Sequence, residues 1–558
     1  MTAATWSTAC PDWAERLKSG RSIIPPPIFP DQADAALYRF KRLRVVDLPG
    51  QPTFGQVCEQ WVFDFVRAIF GAYDAATGNQ LIREFYLLIS KKNTKSTIAA
   101  GIMVTALTLC WRRHEEHLIL APTKEVADNS FKPAAAMIRA DEELSIVYAV
   151  RDHLRTIEHV DPSVGNSLKV VAADTETVSG KKSGRILVDE HWVFGKRANA
   201  DAMIMEATGG QASRDEGWII YLTTQSDEPP AGVFASKLAY YRDVRDGKID
   251  DPRSLGVLYE FPQDMIDSKA YLDRANFHIT NPNLGRSVNA DWLADQLEKA
   301  VREQDGAFQR FIAKHLNVQI GLNLRADRWA GADYWEQAGT GPITLQQLLS
   351  RCEVVTIGLD GGGLDDLLGM AVTGRERDTG RWLAWTHAWA HPSVLERRKA
   401  DAPRFLDFQR QGHLTVVDQV GQDVEQVAQI AKQIFDSNLL DRIGCDQHGI
   451  SAVYQAILEQ GIPEDQIIGI SQGWKLTGAI KTTERALAGG TLLHGAQPMM
   501  AWCAGNAKIV PSGNAVMITK QASGSAKIDP LMALFNAITL LSLNPVARHE
   551  PTFEIVYL

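Results

Sequence analysis

Phe85-Tyr86-Leu87-Leu88-Ile89-Ser90-Lys91-Lys92-Asn93-Thr94-Lys95-Ser96-Thr97 reads as an apolar strand, a short polar loop and the start of a helix of small apolar residues. That succession is the setting a phosphate-binding loop requires, because a helix N-terminus offers backbone N–H groups and the positive end of its dipole to an anion. In such a loop the segment Lys91 to Thr97 would surround the phosphates of ATP. Lys95 would reach the β and γ oxygens and the Ser96 hydroxyl would hold Mg2+. The consensus G-x-x-x-x-G-K-[ST] is not met, since Ile89 and Thr94 stand at its glycine positions. Taken alone, the segment reads equally as a strand-to-helix turn with a basic surface.

Two later strands bear on that choice. Ile186-Leu187-Val188 ends in Asp189-Glu190, where Asp189 would join the Mg2+ shell and Glu190 would orient and deprotonate the attacking water. Trp218 to Thr223 ends in Thr223-Thr224-Gln225-Ser226, whose hydroxyl and amide groups could sense the γ-phosphate. Alone, the first pair reads as a solvated turn and the second stretch as a polar one. Short β-branched and aliphatic runs, including His117 to Ala121 and Leu168 to Val171, alternate with helical patterns from Phe54 to about Ser226. This alternation predicts an α/β domain with a mainly parallel sheet. Residues 1–53 read as an irregular arm. Residues 230–344 show helical periodicity, as in Asn289 to Glu303, and contain the turn-rich Asn281-Pro282-Asn283-Leu284-Gly285, so they read as a helical lid or linker.

A second strand-rich block follows, with Val354 to Leu359, Leu368 to Val372 and Trp382 to Trp389 as successive strands. Asp360 ends the first of these before Gly361-Gly362-Gly363. Asp446 follows Arg442-Ile443-Gly444-Cys445, and Asp529 opens a helix in Lys527-Ile528-Asp529-Pro530-Leu531. An aspartate before proline is by itself an N-cap. Together the three acids fit a ribonuclease H-like nuclease, in which carboxylates from a first strand, a later strand end and the last helix meet around Mg2+ or Mn2+. Two such ions would polarise the scissile phosphate, generate hydroxide and stabilise the leaving oxygen. Asp365, Asp366 and His448 lie close enough in sequence to add a ligand, although the two aspartates also read as a charged hairpin turn.

At 558 residues the chain has room for three to four domains of roughly 100–200 residues. Hydrophobic residues at 45% and charged ones at 22% exclude global disorder. The 58 basic and 67 acidic residues leave a net charge of -9, so a nucleic-acid site must be local or built by several subunits. The six cysteines are scattered and none has zinc-site spacing. The longest apolar stretch, Thr97 to Trp111, is shorter than the ~20 residues a membrane span needs, and Met1 to Asp12 does not read as a secretory signal. An intracellular protein is expected.

In order and spacing these motifs resemble the large terminase subunits of tailed bacteriophages, which package DNA into procapsids. That family tolerates a loop of the form basic-basic-Asn-Gly-Lys-Ser-Thr, and Lys91 to Thr97 matches it except at Thr94. The resemblance implies adenine recognition by Gln60, a helicase-like motif at Ala121-Pro122-Thr123, and a segment coupling hydrolysis to movement at Thr223 to Ser226, with Thr224 near the nucleotide. Asn281 to Gly285 is similar to a turn recurring between motor and nuclease in these proteins. The implied architecture is a P-loop ATPase core at 54–229, a helical lid at 230–344 and a ribonuclease H-like nuclease at 345–558. The implied function is ATP-driven translocation of double-stranded DNA and metal-dependent cutting of the concatemer, with Lys95, Glu190, Asp360, Asp446 and Asp529 as catalytic residues. Implied partners are the portal of the procapsid, a small terminase subunit and further copies in a ring, in the host cytoplasm and without a membrane. Arg139, Arg197 and Arg214 are candidates for an arginine that completes a neighbour's ATP site. A helicase or repair ATPase fused to a nuclease, and a non-hydrolysing DNA-bridging subunit, are the rival readings.

Overall fold

Strand β1 (Glu84–Leu88) is buried on both faces, as its unbroken apolar run requires of a central parallel strand. With β2 (Glu116–Ala121), β3 (Tyr148–Arg151), β4 (Thr156–His159), β5 (Ser167–Ala172), β6 (Arg185–Val188), β7 (Trp218–Thr223) and β8 (Ser254–Leu258) it forms one sheet in the order β8-β1-β7-β6-β2-β5-β4-β3. Pairing is parallel from β8 through β5 and antiparallel for β4 and β3. The computed structural model describes residues 6–172, 183–197, 200–303, 306–320, 329–399, 401–446, 451–512, 515–518 and 527–547. The chain divides into two units, 1–320 and 321–558.

In the first unit, α1 (Gln60–Phe70) and α2 (Lys95–Thr108) flank the sheet, followed by α3 (Lys124–Arg139) and later α4 (Ala307–Leu316). Helix α2 is buried nearly all round because its residues are small or aliphatic. A Cβ on its Gly101 would meet the Phe40 ring at 2.8 Å. The parallel arrangement brings the C-terminal ends of β1, β7 and β6 to one edge, where a doubly wound sheet presents its ligand site.

The second unit is also α/β. Its main sheet is built from β9 (Cys352–Gly361), β10 (Leu368–Glu376), β11 (Trp382–Ala390), β12 (Leu414–Val416), β13 (Leu440–Asp446) and β14 (Ile467–Ile470) in the order β12-β11-β10-β9-β13-β14, and β15 (Leu492–His494) also pairs with β11. Strands β9, β10 and β11 run antiparallel, while β13 lies parallel to β9. Helix α5 (Asp529–Leu541) lies directly on this sheet. A Cβ on Gly358 would come within 2.0 Å of the Ala533 carbonyl oxygen, so only glycine lets the helix sit this close. Asn536 Nδ2 donates to the Leu359 carbonyl at 2.8 Å and Thr356 Oγ1 to that of Ala537 at 3.0 Å, fixing the register of helix on strand.

The segment 230–344, expected as a helical lid, is helical for much of its length but also supplies β8, the edge strand beside β1. In Ser254-Leu255-Gly256-Val257-Leu258 the serine and the glycine interrupt the apolar run, so the strand does not announce itself in the sequence as β1 and β6 do. The end of that segment belongs to the second unit, where Trp329 and Trp335 are buried in the core and Trp335 stacks on His494 at 4.2 Å. No helix among the described residues is long and apolar enough to cross a membrane.

Candidate active sites

Strand β7 lies between β1 and β6, so the loop after β1 and the acids after β6 face each other across the end of β7. Lys95, buried at the start of α2, places Nζ 2.9 Å from Oε1 of Glu190. The Ser96 hydroxyl donates to Asp189 Oδ2 at 3.1 Å, and Ser130 Oγ of α3 donates to the same oxygen at 2.8 Å. Glu190 is also held by the indole Nε1 of Trp192, at 2.6 Å from Oε2. The two acids are pushed apart in acidity. Burial and the neighbouring Glu190 charge raise Asp189, against Lys95 and the two serine hydroxyls. Burial also acts to raise Glu190, but the Lys95 charge and the bonds from Lys95 and Trp192 outweigh it and hold that carboxyl below its usual range. Burial disfavours the Lys95 ammonium, yet the Glu190 and Asp189 carboxylates keep its pKa above the ordinary value.

The loop adopts the shape its unusual sequence makes costly. Thr94 has φ +58° and Lys92 φ +75°, both in the left-handed region that favours glycine. What holds Thr94 there is a segment nearly two hundred residues away. Asn93 Nδ2 donates to Asn281 Oδ1 at 2.9 Å, the Asn283 amide N–H donates to Asn93 Oδ1 at 3.0 Å, and Asn283 Nδ2 reaches the Asn93 carbonyl and Thr94 Oγ1, each at 3.2 Å. Asn283 Oδ1 in turn accepts from Trp61 Nε1 of α1 at 2.8 Å. The turn at Asn281 to Gly285, a break in the sequence that resembles a turn between motor and nuclease in large terminases, therefore packs on the loop through Asn281 and Asn283. Paired asparagines around a proline were the available signal.

Lys91 and Lys92 are exposed, and Thr97 is half-buried in the first turn of α2. Gln60 stands at the start of α1 with its amide donating to Asp64 within the same helix, at 2.8 Å. Thr223 Oγ1 accepts from the Trp192 backbone at 3.0 Å and donates to the Thr224 carbonyl, and the Thr224 hydroxyl donates to the Gln225 carbonyl at 3.3 Å. Among the arginines, Arg214 is half-buried and paired with the buried Glu115 at 2.7 Å, Arg197 donates to the Pro122 carbonyl, and Arg139 lies on the surface paired with Asp152 at 2.5 Å.

In the second unit Leu359 pairs with Cys445, so Asp360 and Asp446 follow side by side at the ends of β9 and β13. Asp529 opens α5 above the same edge. A Cβ on Gly361 would lie 3.5 Å from the Asp529 Cβ, and one on Gly369, the β10 partner of Asp360, would lie 2.8 Å from the Asp529 carbonyl carbon and oxygen. Asp360 and Asp529 are buried and Asp446 is half-buried. The three acids are neighbours through strand register and helix placement. Among the described residues no three His, Cys, Asp or Glu side chains are already drawn together as a metal cage. Asp366 is turned to the buried Lys527, 2.5 Å away, whereas Asp365 is exposed; His448 lies outside the described residues.

One unit thus carries an ATPase type of site and the other a trio of acids at a sheet edge, which defines a two-enzyme chain. Residues 61–229 match the family described as "Terminase large subunit, ATPase domain", and residues 255–544 match "Terminase large subunit, endonuclease domain". The chain belongs to the terminase large subunit family: it is a subunit of a DNA-packaging motor with ATPase and endonuclease activities, acting on DNA with nucleotide and divalent metal. It is 26% identical over 491 residues to the "Terminase, large subunit" of Enterobacteria phage HK97, covering 84% of this chain and 88% of that one. It is 22% identical over 306 residues to "Protein YmfN" of Escherichia coli K12, covering 53% of this chain and 65% of that one. The crystal structure of the HK97 large terminase aligns over 91% of this chain and 99% of its own, at 22% identity and a TM-score of 0.48. Membership of this family argues against both rival readings, the helicase or repair fusion and the non-hydrolysing bridge.

Proposed function

We propose that Lys95, Ser96, Asp189 and Glu190 are the hydrolytic centre of the motor, with the loop Lys91 to Thr97, Thr224 and Gln60 as its nucleotide contacts. The observation that carries this reading is the joint placement of the Lys95–Glu190 pair and of Ser96 and Ser130 on Asp189. Ser96 Oγ and Asp189 Oδ2 are hard oxygen donors 3.1 Å apart, a pair that would hold Mg2+, whose chemistry there would be neutralisation of phosphate charge. A triphosphate competes with Glu190 for the Lys95 ammonium. Its arrival frees the carboxylate, still oriented by Trp192, to take a proton from the attacking water. Lys95→Ala should then weaken ATP binding, whereas Glu190→Gln should bind ATP and fail to turn over. Equal hydrolysis by wild type and Glu190→Gln would remove the assignment.

For the second unit we propose that Asp360, Asp446 and Asp529 hold Mg2+ or Mn2+ for phosphodiester cleavage. Three carboxylates are the oxygen donors such ions take, and the metal would supply an activated hydroxide and charge neutralisation at the leaving oxygen. The proposed divisions are an arm at 1–53, which includes a helix at Pro30–Arg42, ATPase core at 54–229, lid at 230–344 and nuclease at 345–558, with β8 of the lid segment completing the ATPase sheet and the end of that segment, from Trp329, packing in the second unit. The net charge of -9 favours a grip on duplex DNA shared by several subunits, so a ring on the procapsid portal, loaded by a small terminase subunit in the host cytoplasm, is the proposed working form. Chain added to empty procapsids with ATP should protect duplex DNA from external nuclease while leaving its strands paired. Strand separation would instead support a helicase.

A further inference from the structure

Helix α4 carries a lysine that none of the motifs anticipates. Lys314 Nζ donates to the Gln225 carbonyl at 2.8 Å and stands 2.9 Å from the centroid of the Trp192 ring, the same ring whose Nε1 holds Glu190 at 2.6 Å. Its own carbonyl accepts from the Lys91 backbone N–H, at 2.7 Å, in the phosphate loop. One residue therefore touches the loop after β1, the segment after β6 and the segment after β7. Asn317, one residue beyond α4, reinforces the link by accepting from the Gln225 N–H at 3.2 Å and donating to the Tyr259 carbonyl at 2.9 Å.

We propose that Lys314 is a positioning residue for ATP hydrolysis, seating its ammonium between the Gln225 carbonyl and the Trp192 ring so that the indole keeps Glu190 aimed at the attacking water. The proposal rests on Glu190 being the base. A carbonyl oxygen and an aromatic face are both electron-rich, so a cation between them draws the two segments together, and a neutral side chain there does not. The charged form is finely balanced. Burial brings Lys314 down to about 7, the Asp227 and Glu190 carboxylates hold it up, and Lys196 and Lys91 press it down further. The negative charge of a bound triphosphate shifts that balance toward the ammonium, which couples occupancy of the loop to the seating of the base.

The test uses the full chain, with ATPase turnover and binding of a fluorescent ATP analogue measured in parallel. Lys314→Met should lower kcat roughly 100-fold, the scale of a misplaced catalytic group, while analogue affinity falls by no more than roughly threefold, since the side chain meets the Gln225 carbonyl and the Trp192 ring and only its backbone carbonyl meets the loop. Wild-type kcat should fall on the alkaline side as the ammonium is lost, and this limb should be missing from Lys314→Met. Lys314→Arg, which keeps a cation over the ring, should recover at least roughly a tenth of wild-type turnover. Wild-type kcat in Lys314→Met, or equal loss of binding and turnover, overturns the proposal; so does an arginine variant as slow as methionine with an unchanged melting temperature. Lys95→Ala and Glu190→Gln run alongside separate the two ideas. If they hydrolyse normally the base assignment itself fails, and if they are dead while Lys314→Met is active only the role of Lys314 falls.

Discussion

The side-chain amide of Asn93 donates to Oδ1 of Asn281 at 2.9 Å, joining residues 188 positions apart in the chain. Together with Asn283, this makes the shape of the phosphate loop depend on a turn from a distant part of the first unit. Asn283→Ala keeps the backbone bond to Asn93 Oδ1 but removes the side-chain bonds to the Asn93 carbonyl, Thr94 and Trp61 at once, and the buried groups left unmatched cost about 1–3 kcal/mol each. The expected outcome is ATP affinity reduced at least about tenfold, with the nuclease unaffected. Nucleotide titration and plasmid nicking on the same preparation check both halves.

Thr94 offers a second test, because two opposing effects of similar size meet there. Its left-handed backbone costs about 1–2 kcal/mol relative to an allowed conformation. The hydroxyl's contact with Asn283 returns about 1 kcal/mol. Thr94→Gly relieves the first and loses the second, so stability should change by less than about 1 kcal/mol. Thr94→Val keeps the strain and loses the contact, and should be destabilised by about 1 kcal/mol. Denaturant titration of both variants distinguishes this from an unstrained loop, in which glycine would destabilise more than valine.

What was legible in the sequence follows from where the signal was local. Strands β1, β2, β5, β6 and β7 were readable because each is an apolar run closed by polar residues, and Lys95, Asp189 and Glu190 sit at those closures. β3 and β4 escaped notice: Tyr148-Ala149-Val150-Arg151 and Thr156-Ile157-Glu158-His159 carry charges and form the antiparallel end of the sheet. Asn281 and Asn283 showed as a turn, but their contact with the loop depends on tertiary packing. Lys314 is one lysine on an amphipathic helix, and only the fold brings it to Trp192. In the second unit the placement of Asp360, Asp446 and Asp529 at one edge could be guessed from strand ends. The glycines that admit α5 could not be distinguished by sequence from those in turns.

Acid stability should depend on Glu260, buried just beyond β8 between Arg242 at 2.6 Å and Arg245 at 2.7 Å. Burial acts to raise its pKa, but the two guanidinium groups outweigh it and hold the carboxyl below its ordinary value of 4.5. A carboxyl depressed in the folded state contributes stability that is complete above the unfolded pKa and is lost as pH falls through the folded one. Glu260→Gln should therefore cost about 1–3 kcal/mol at neutral pH, because both arginines lose charge-assisted bonds while Arg245 keeps Asp246 at 2.8 Å and Arg242 keeps Gln319 at 2.7 Å, and should flatten the loss of stability below pH 4.5. Urea unfolding of the first unit across that range reads the difference. A variant as stable as wild type at pH 7 would show that the arginines find other partners.

The nuclease prediction separates ligand chemistry from placement. If Asp360, Asp446 and Asp529 share metal, each change to asparagine keeps the shape, removes a charge from the donor set, and should abolish plasmid nicking in Mg2+ or Mn2+ without ATP and without lowering the melting temperature. Gly369→Ala adds no charge and removes none. Its Cβ would lie 2.8 Å from the backbone of Asp529, closer than such atoms approach, so the start of α5 must shift away from β10 and carry Asp529 with it. Displacement by about 1 Å should lower nicking roughly 100-fold while the other two acids stay in place. Raising the metal concentration should partly restore Gly369→Ala, whose ligands are intact but spread, and should do nothing for Asp529→Asn. Nicking that persists in EDTA, or a fully active Asp360→Asn, would rule out the shared metal site. Full activity in Gly369→Ala with the aspartate variants dead would leave the ligands standing and show that the close approach of α5 to β10 is not what positions them.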